Sequence, residues 1–200
     1  MRPDVLPVGD LGLQRAMEAL FSKPEPALYV GYWPFPLALA LFARLPRLTA
    51  LRGDEEMSKI TDARLLADAL FQGVVDKGGK PYIGHCERVT SRLPDWVSDD
   101  ERCAAMLHDV IEDTPTTAAD LRRFGFSDRT VALVEQLSRP AGVTYMDWIR
   151  QIKATGDRGL IAIKLADNAD NSDPERIAQL PESERSILGR YERARRILEA

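Results

Sequence analysis

"AAMLHDVIEDT", residues 104–114, puts one of the chain's two histidines beside three carboxylates in an otherwise mainly apolar stretch. Ser98 followed by Glu101 is a capping-box pattern, and Pro115 stops a helix, so the spacing predicts one helix running through this stretch. On a helix, residues four apart share a face. His108 with Glu112 and Asp109 with Asp113 then form neighbouring rows, and Ala104, Leu107, Val110 and Ile111 cover much of the rest. A solvated helix face more often mixes in basic residues, yet no Lys or Arg occurs between Arg102 and Arg122. Carboxylates at this density repel one another unless a cation sits among them. Taken alone, the segment reads equally well as half of a metal site or as an acidic helix end beside a core histidine.

Two other segments change the weighing. The second histidine, His85, ends "GGKPYIGH", residues 78–85, a glycine-containing turn that runs into a helix. "IKLADNADN", residues 163–171, follows an apolar lead-in and offers Asp167, Asp170 and Asn171, with Asp167 and Asn171 four apart. Two imidazoles and two carboxylates drawn from three separated helices can enclose one divalent ion.

The rest of the chain supplies the frame. Residues 58–76 place Ile60, Leu65, Leu66, Ala69 and Leu70 at helical spacing. Thr117 with Asp120 and Thr144 with Asp147 mark further helix starts, and Gly125 a stop. Residues 127–137, 159–171 and 182–199 read as helices, the last with Ile187, Leu188, Tyr191, Ala194 and Leu198 as its apolar stripe. Alternation of period two is nowhere sustained. The fold class expected is all-α.

The bulk numbers exclude some functions. The chain has 200 residues, 44% hydrophobic and 29% charged, with a net charge of -4. That gives no basic footprint, so no nucleic-acid partner is expected. Cys86 and Cys103 have neither metal-ligand nor disulfide spacing, no signal peptide opens the chain, and a cytoplasmic location is expected. The uncharged run at residues 27–43 holds two prolines and a glycine and is short for a membrane span, so its end at residues 37–43 is read as a buried helix and no membrane partner is expected.

"DKGGKPYIGHCERV", "AAMLHDVIEDT", "LSRPAGVTYMDWI" and "IKLADNADN", in this order, resemble the HD-domain phosphohydrolases. The likeness is to the RelA/SpoT-type hydrolases of guanosine tetra- and pentaphosphate, especially the stand-alone small alarmone hydrolases, and spans residue 58 to the C-terminus. It implies a helical bundle over residues 58–200. It implies His85, His108, Asp109 and Asp167 as ligands of a single Mn2+, a choice consistent with hard carboxylates and no thiolate. It implies Glu112 and Asp113 as the acidic pair that activates water. Lys77, Tyr145, Asn171, Ser138 and Arg139 fall where the family contacts the nucleotide. The activity implied is hydrolysis of the 3′-pyrophosphate of ppGpp to GDP and pyrophosphate. The alternatives are another 3′- or 2′-phosphorylated nucleotide such as NADPH, or a non-catalytic nucleotide-binding module. No synthetase part is present, and the oligomeric state stays open. Three departures stand out: Phe71 where many relatives have His, Cys86 where many have Pro, and a "DNADN" more acidic than the usual basic or aromatic filling.

Residues 1–52 differ in texture, being rich in Pro and aromatic residues. "RPDVLPVGDLGLQRAM" and "YWPFPLALALFARL" resemble the C-terminal tail of 3-methyladenine-type DNA glycosylases, where the position of Asp10 is catalytic. The hairpin and base-binding helices of that class are missing, so the segment is expected to be a short helical extension without glycosylase activity.

Overall fold

The computed structural model describes residues 59–76, 78–179, 182 and 185–200. These form α1 (Lys59–Leu70), α2 (Ile83–Ser91), α3 (Asp99–Met106), α4 (Val110–Asp113), α5 (Ala118–Arg123), α6 (Asp128–Leu137), α7 (Tyr145–Ala154), α8 (Arg158–Asn171), α9 (Pro174–Ala178) and α10 (Ile187–Glu199). The sole β pairing among the described residues is an isolated bridge between Val75 and Pro81. The expected all-α class is therefore what forms. The extension read at residues 1–52 and the candidate Lys77 lie outside the described residues.

Two helices are central. α3 packs on α1, α2, α6 and α8, while α8 packs on α2, α3, α6, α7 and α10. α8 is buried on most sides, including Leu160, Ile163, Lys164, Ala166, Asp167 and Asp170. A helix surrounded in this way needs no single apolar stripe, which is why its sequence shows none. Leu66, Val89, Leu107, Leu133, Ile149, Ile163 and Leu198 fill the shared core. Each stabilises the fold by about 1.5–3 kcal/mol relative to exposure.

Side-chain caps set the helix starts. Ser98 with Glu101 and Thr117 with Asp120 form complete capping boxes. The Thr144 and Asp157 side chains accept the amides of Asp147 and Leu160. Each cap contributes about 1 kcal/mol. Gly125 ends α5 at φ +85°, a left-handed conformation that favours glycine.

Three boundaries differ from the sequence pattern. α1 ends at Leu70, and Ala63, Leu66 and Ala67 form its buried face while Leu65 is 36% exposed. The last helix starts at Ile187 rather than at residue 182. The third difference matters most: residues 99–114 are not one helix. Leu107 (φ -104°, ψ 7°) leaves the α-helical basin for the sparsely allowed bridge region, and Asp109 (φ -101°, ψ -2°) sits at the edge of the right-handed region. The Val110 amide donates to the Leu107 carbonyl, a three-residue step, before α4 resumes. The cause is tertiary. Adjacent residues on a regular helix point about 100° apart, and the break lets His108 and Asp109 aim at one place.

Candidate metal centre

His108 comes from the break between α3 and α4 and is 1% exposed. Its Nδ1 lies 2.8 Å from the Ala105 carbonyl. A carbonyl only accepts, so Nδ1 carries a hydrogen and Nε2 is the nitrogen that faces Asp109 and Asp167. That Nε2 is buried and has no hydrogen-bond partner, although the Asp109 Oδ2 lies 2.8 Å away.

His85, in the first turn of α2, arrives with the same polarity. Its Nδ1 donates to Asp170 Oδ2 at 2.7 Å, which again leaves Nε2 as the free nitrogen. Arg176 Nη1 also approaches this Nδ1, to 2.9 Å, but with the hydrogen on Nδ1 the guanidinium bonds Asp170 instead. The His85 Nε2 lies 3.4 Å from Asp167 Oδ1 and 3.8 Å from Asp109 Oδ2. Asp167 Oδ1 is 3.7 Å from the His108 Nε2. Donor atoms of His85, His108 and Asp109 all lie within 4.8 Å of one another. The four residues named from the sequence thus converge, from α2, from the α3–α4 break and from α8.

The residues fit a divalent cation. A buried imidazole nitrogen set among carboxylate oxygens, with its far nitrogen tied to a carbonyl, has the surroundings of a cation ligand. Both imidazoles have their tautomer fixed by a bond on the far nitrogen, the arrangement that metal-ligating histidines use. The oxygens are held as well. Tyr82 donates its hydroxyl to Asp109 Oδ2, Lys164 Nζ lies 2.7 Å from Asp167 Oδ2, and Asn171 donates to Asp167 Oδ1 at 2.6 Å. Burial opposes charge on His108, yet Asp109 and Asp167 outweigh it and raise its pKa to about 9, so in the metal-free protein a proton on Nε2, facing Asp109 Oδ2, takes the position a cation would hold. Burial likewise opposes charge on Asp167, and Lys164 outweighs it and holds the carboxyl well below its usual range.

The centre opens into a cavity of about 440 Å³, lined by Asp109, Glu112, Asp113, Arg139, Tyr145, Asp167 and Asn171 among others. Glu112 Oε2 accepts the backbone amide of Arg139 at 3.0 Å. Partial desolvation at the wall, then Asp109 and Glu112, raise the Asp113 carboxyl above its ordinary value. Arg139 Nη1 donates to the Val143 carbonyl at 3.0 Å. Ser138 is the residue the structure keeps out of this wall: its hydroxyl donates to the Val134 carbonyl at 3.0 Å.

Sequence reasoning gave no role to several residues. Tyr82 and Lys164 stand three positions before His85 and Asp167, a helical spacing that could have suggested them. Trp148, Arg176, Arg190 and Tyr191 also line the cavity, and no local pattern points to them. The acidic "DNADN" is also resolved. Asp170 does not face the cavity; it is 0% exposed and accepts from Arg88 Nε at 2.8 Å and from Arg176 as well as from His85.

The family described as HD domain matches residues 63–178. Among curated proteins, the chain is 33% identical over 128 residues to the bifunctional (p)ppGpp synthase/hydrolase SpoT of Escherichia coli (strain K12), covering 59% of this chain and 18% of that protein. It is 37% identical over 103 residues to the guanosine-3′,5′-bis(diphosphate) 3′-pyrophosphohydrolase of Aquifex aeolicus (strain VF5), covering 48% of this chain and 14% of that protein. The chain therefore spans under a fifth of the length of these relatives. A solved structure of a metazoan ortholog of SpoT, described as hydrolysing ppGpp, superposes with a TM-score of 0.62 at 19% identity, over 74% of this chain and 89% of that one. At that identity the likeness is one of fold. No helix among the described residues is long and apolar enough to cross a membrane.

Proposed function

The chain belongs to the HD domain family, and from that premise we propose that it hydrolyses the 3′-pyrophosphate of guanosine tetra- or pentaphosphate, releasing pyrophosphate. The observation that carries the reading is the convergence of the buried Nε2 atoms of His85 and His108 on Asp109 and Asp167, beside a cavity of about 440 Å³. The names of the curated relatives supply the substrate.

His85 and His108 through Nε2, with Asp109 and Asp167, would hold one divalent ion. The absence of thiolate suits Mn2+. When bound, such an ion supplies a Lewis acid and lowers the pKa of water. The remaining work falls to the chain. Glu112, with Asp113 beside it, takes the proton of the attacking water. The Arg139 amide keeps Glu112 in place for that transfer. The water oxygen bonds to phosphorus, the bond from phosphorus to the ribose 3′ oxygen breaks, and that oxygen takes up a proton. Tyr145 and Trp148, whose rings pack edge to face with centroids 5.9 Å apart, offer apolar wall for the nucleoside. Lys164 and Asn171 keep Asp167 oriented through its two oxygens.

The test is purified protein loaded with Mn2+ and given ppGpp and NADPH side by side, following pyrophosphate and phosphate. Release of pyrophosphate from ppGpp is expected. Phosphate from NADPH alone would replace the substrate, and no turnover of either would leave a binding module.

A further inference from the structure

Arg190, on α10, lines the cavity. Its guanidinium carbon lies 4.8 Å from the Tyr145 ring centroid and 5.6 Å from that of Tyr191. Both distances are within reach of a cation–π contact, which holds the guanidinium beside the two rings. The Nε is buried and has no hydrogen-bond partner, a state it shares among the described residues with the His108 nitrogen. A buried donor left unpaired is destabilising, and native proteins keep few of them.

The other cations of the wall have their partners. Lys164 is bonded to Asp167, Arg176 to Asp170, and Arg139 to the Val143 carbonyl. Arg190 is thus the lining cation with buried donor capacity unspent. Its place in the cavity follows from a chain of contacts: Asp167 holds Lys164 Nζ, which lies 5.9 Å from the Tyr145 ring, and Arg190 sits over that same ring. Arg190 forms no ion pair with Asp109, Glu112, Asp113 or Asp167, whereas Lys164 is bonded to Asp167. Arg190 and the acids Asp109, Glu112 and Asp113 line the same cavity without pairing with one another.

We propose that Arg190 is a binding residue for a phosphate of the nucleotide that is not the one hydrolysed, gripping it through the guanidinium that lies beside Tyr145 and Tyr191. Guanidinium geometry matches a phosphate with two parallel bonds. This assignment rests on the reading of the cavity as a nucleotide site and names the part of the ligand that Arg190 recognises.

The test separates phosphate from nucleoside. Binding of GDP and of guanosine is measured by calorimetry for the wild type, Arg190→Met and Arg190→Lys, with ppGpp kinetics alongside. Met keeps the apolar stem, and Lys keeps the charge without the planar fork. Arg190→Met should weaken GDP about 10–100-fold while guanosine keeps its affinity. Lys should recover part of the loss, and the effect on ppGpp should fall on KM rather than kcat. Equal weakening of GDP and guanosine would assign Arg190 to holding the tyrosines and overturn the proposal. So would unchanged GDP affinity in Arg190→Met, or a wild type that binds GDP no better than guanosine. Binding of GDP through Arg190 without turnover of ppGpp would sink the reaction and leave Arg190 assigned. Turnover of ppGpp with an unmoved KM in Arg190→Met would do the reverse.

Discussion

Asp170→Asn changes one buried carboxylate into an amide of the same shape, and the structure sets out what is lost. Asp170 accepts from His85 Nδ1 at 2.7 Å, from Arg88 Nε at 2.8 Å and Nη2 at 3.2 Å, from Arg92 Nη2 at 3.4 Å, and from Arg176. An asparagine keeps one acceptor oxygen, and its amide hydrogens would then face either a guanidinium or the His85 Nδ1–H. Removing one partner of a buried ion pair costs about 3–5 kcal/mol. The Arg88 and Arg92 side chains are 36% and 35% exposed, so water takes over part of their loss and about 2–4 kcal/mol is the expected cost. That corresponds to a fall in melting temperature of roughly 4–16 °C for a domain of this size. A second effect is separable. Without the carboxylate, the His85 ring loses the bond that fixes its tautomer and aims Nε2, and loss of such a partner weakens metal binding about 10–100-fold.

The assay pairs urea unfolding of the metal-free protein with calorimetric titration by Mn2+. Arg88→Met is the control: it removes one arginine and leaves the His85–Asp170 bond, so stability should fall while metal affinity holds. If Asp170→Asn bound Mn2+ as tightly as wild type, the aiming argument would be refuted. If it also unfolded within about 1 kcal/mol of wild type, the buried network would carry no weight.

Other outcomes follow from particular contacts. Asp109→Ala should abolish metal retention, whereas Glu112→Ala should keep the metal and lose about 10²–10⁴ in rate; loss of metal in Glu112→Ala would make it a ligand. The Arg129 guanidinium holds the Asp157 carboxyl down at a pKa of about 2. A depressed carboxylate stabilises the fold above its unfolded pKa of about 3.9, and the contribution drains away as pH falls toward 2. Arg129 is 40% exposed, so about 1 kcal/mol is expected to go in that window. Asp157→Asn, which can still cap α8, should lose less stability than wild type between pH 5 and pH 2.5 in urea titrations at each pH. A Cβ on Gly159 would lie 2.0 Å from Glu101 Oε1 and 2.5 Å from its Cδ. Gly159→Ala must therefore displace Glu101 from Arg129 and Ser98, at about 1–2 kcal/mol. The double variant with Glu101→Ala should cost less than the sum of the singles; strict additivity would show that the two do not meet.

Much of the frame was legible because caps and stripes are local. Ser98 with Glu101 and Thr117 with Asp120 announce helix starts that form as written. The candidate ligands were legible for a different reason: they lie on three of the four short segments that carry the resemblance in a fixed order. The break at residues 107–109 was not legible. Every residue there is compatible with a helix, and only the need to aim His108 and Asp109 together interrupts it. Arg176 and Arg190 were equally hidden, since each reaches the cavity from a helix whose spacing gives no hint of what it faces. Leu65 shows the converse limit. It fits the apolar stripe of α1 by spacing, yet α2 and α3 cover a face centred on Ala63 and Leu66.

The carboxylates that looked like an electrostatic fault divide by how they are compensated. Asp170 is neutralised by arginines from α2 and α9, and Asp167 has Lys164 on one oxygen. Asp109 has a phenol and two imidazoles but no lysine or arginine within ion-pairing distance among the described residues. Glu112 and Asp113 have no such partner there either. Compensation by lysine and arginine thus stops at the point where the two imidazole Nε2 atoms meet. A protein that balances its buried acids elsewhere with arginine and lysine leaves this place for a cation that the sequence does not encode. A divalent ion held there would reverse the sign of the local field, which is what the proposed polyphosphate substrate requires of an acidic chain.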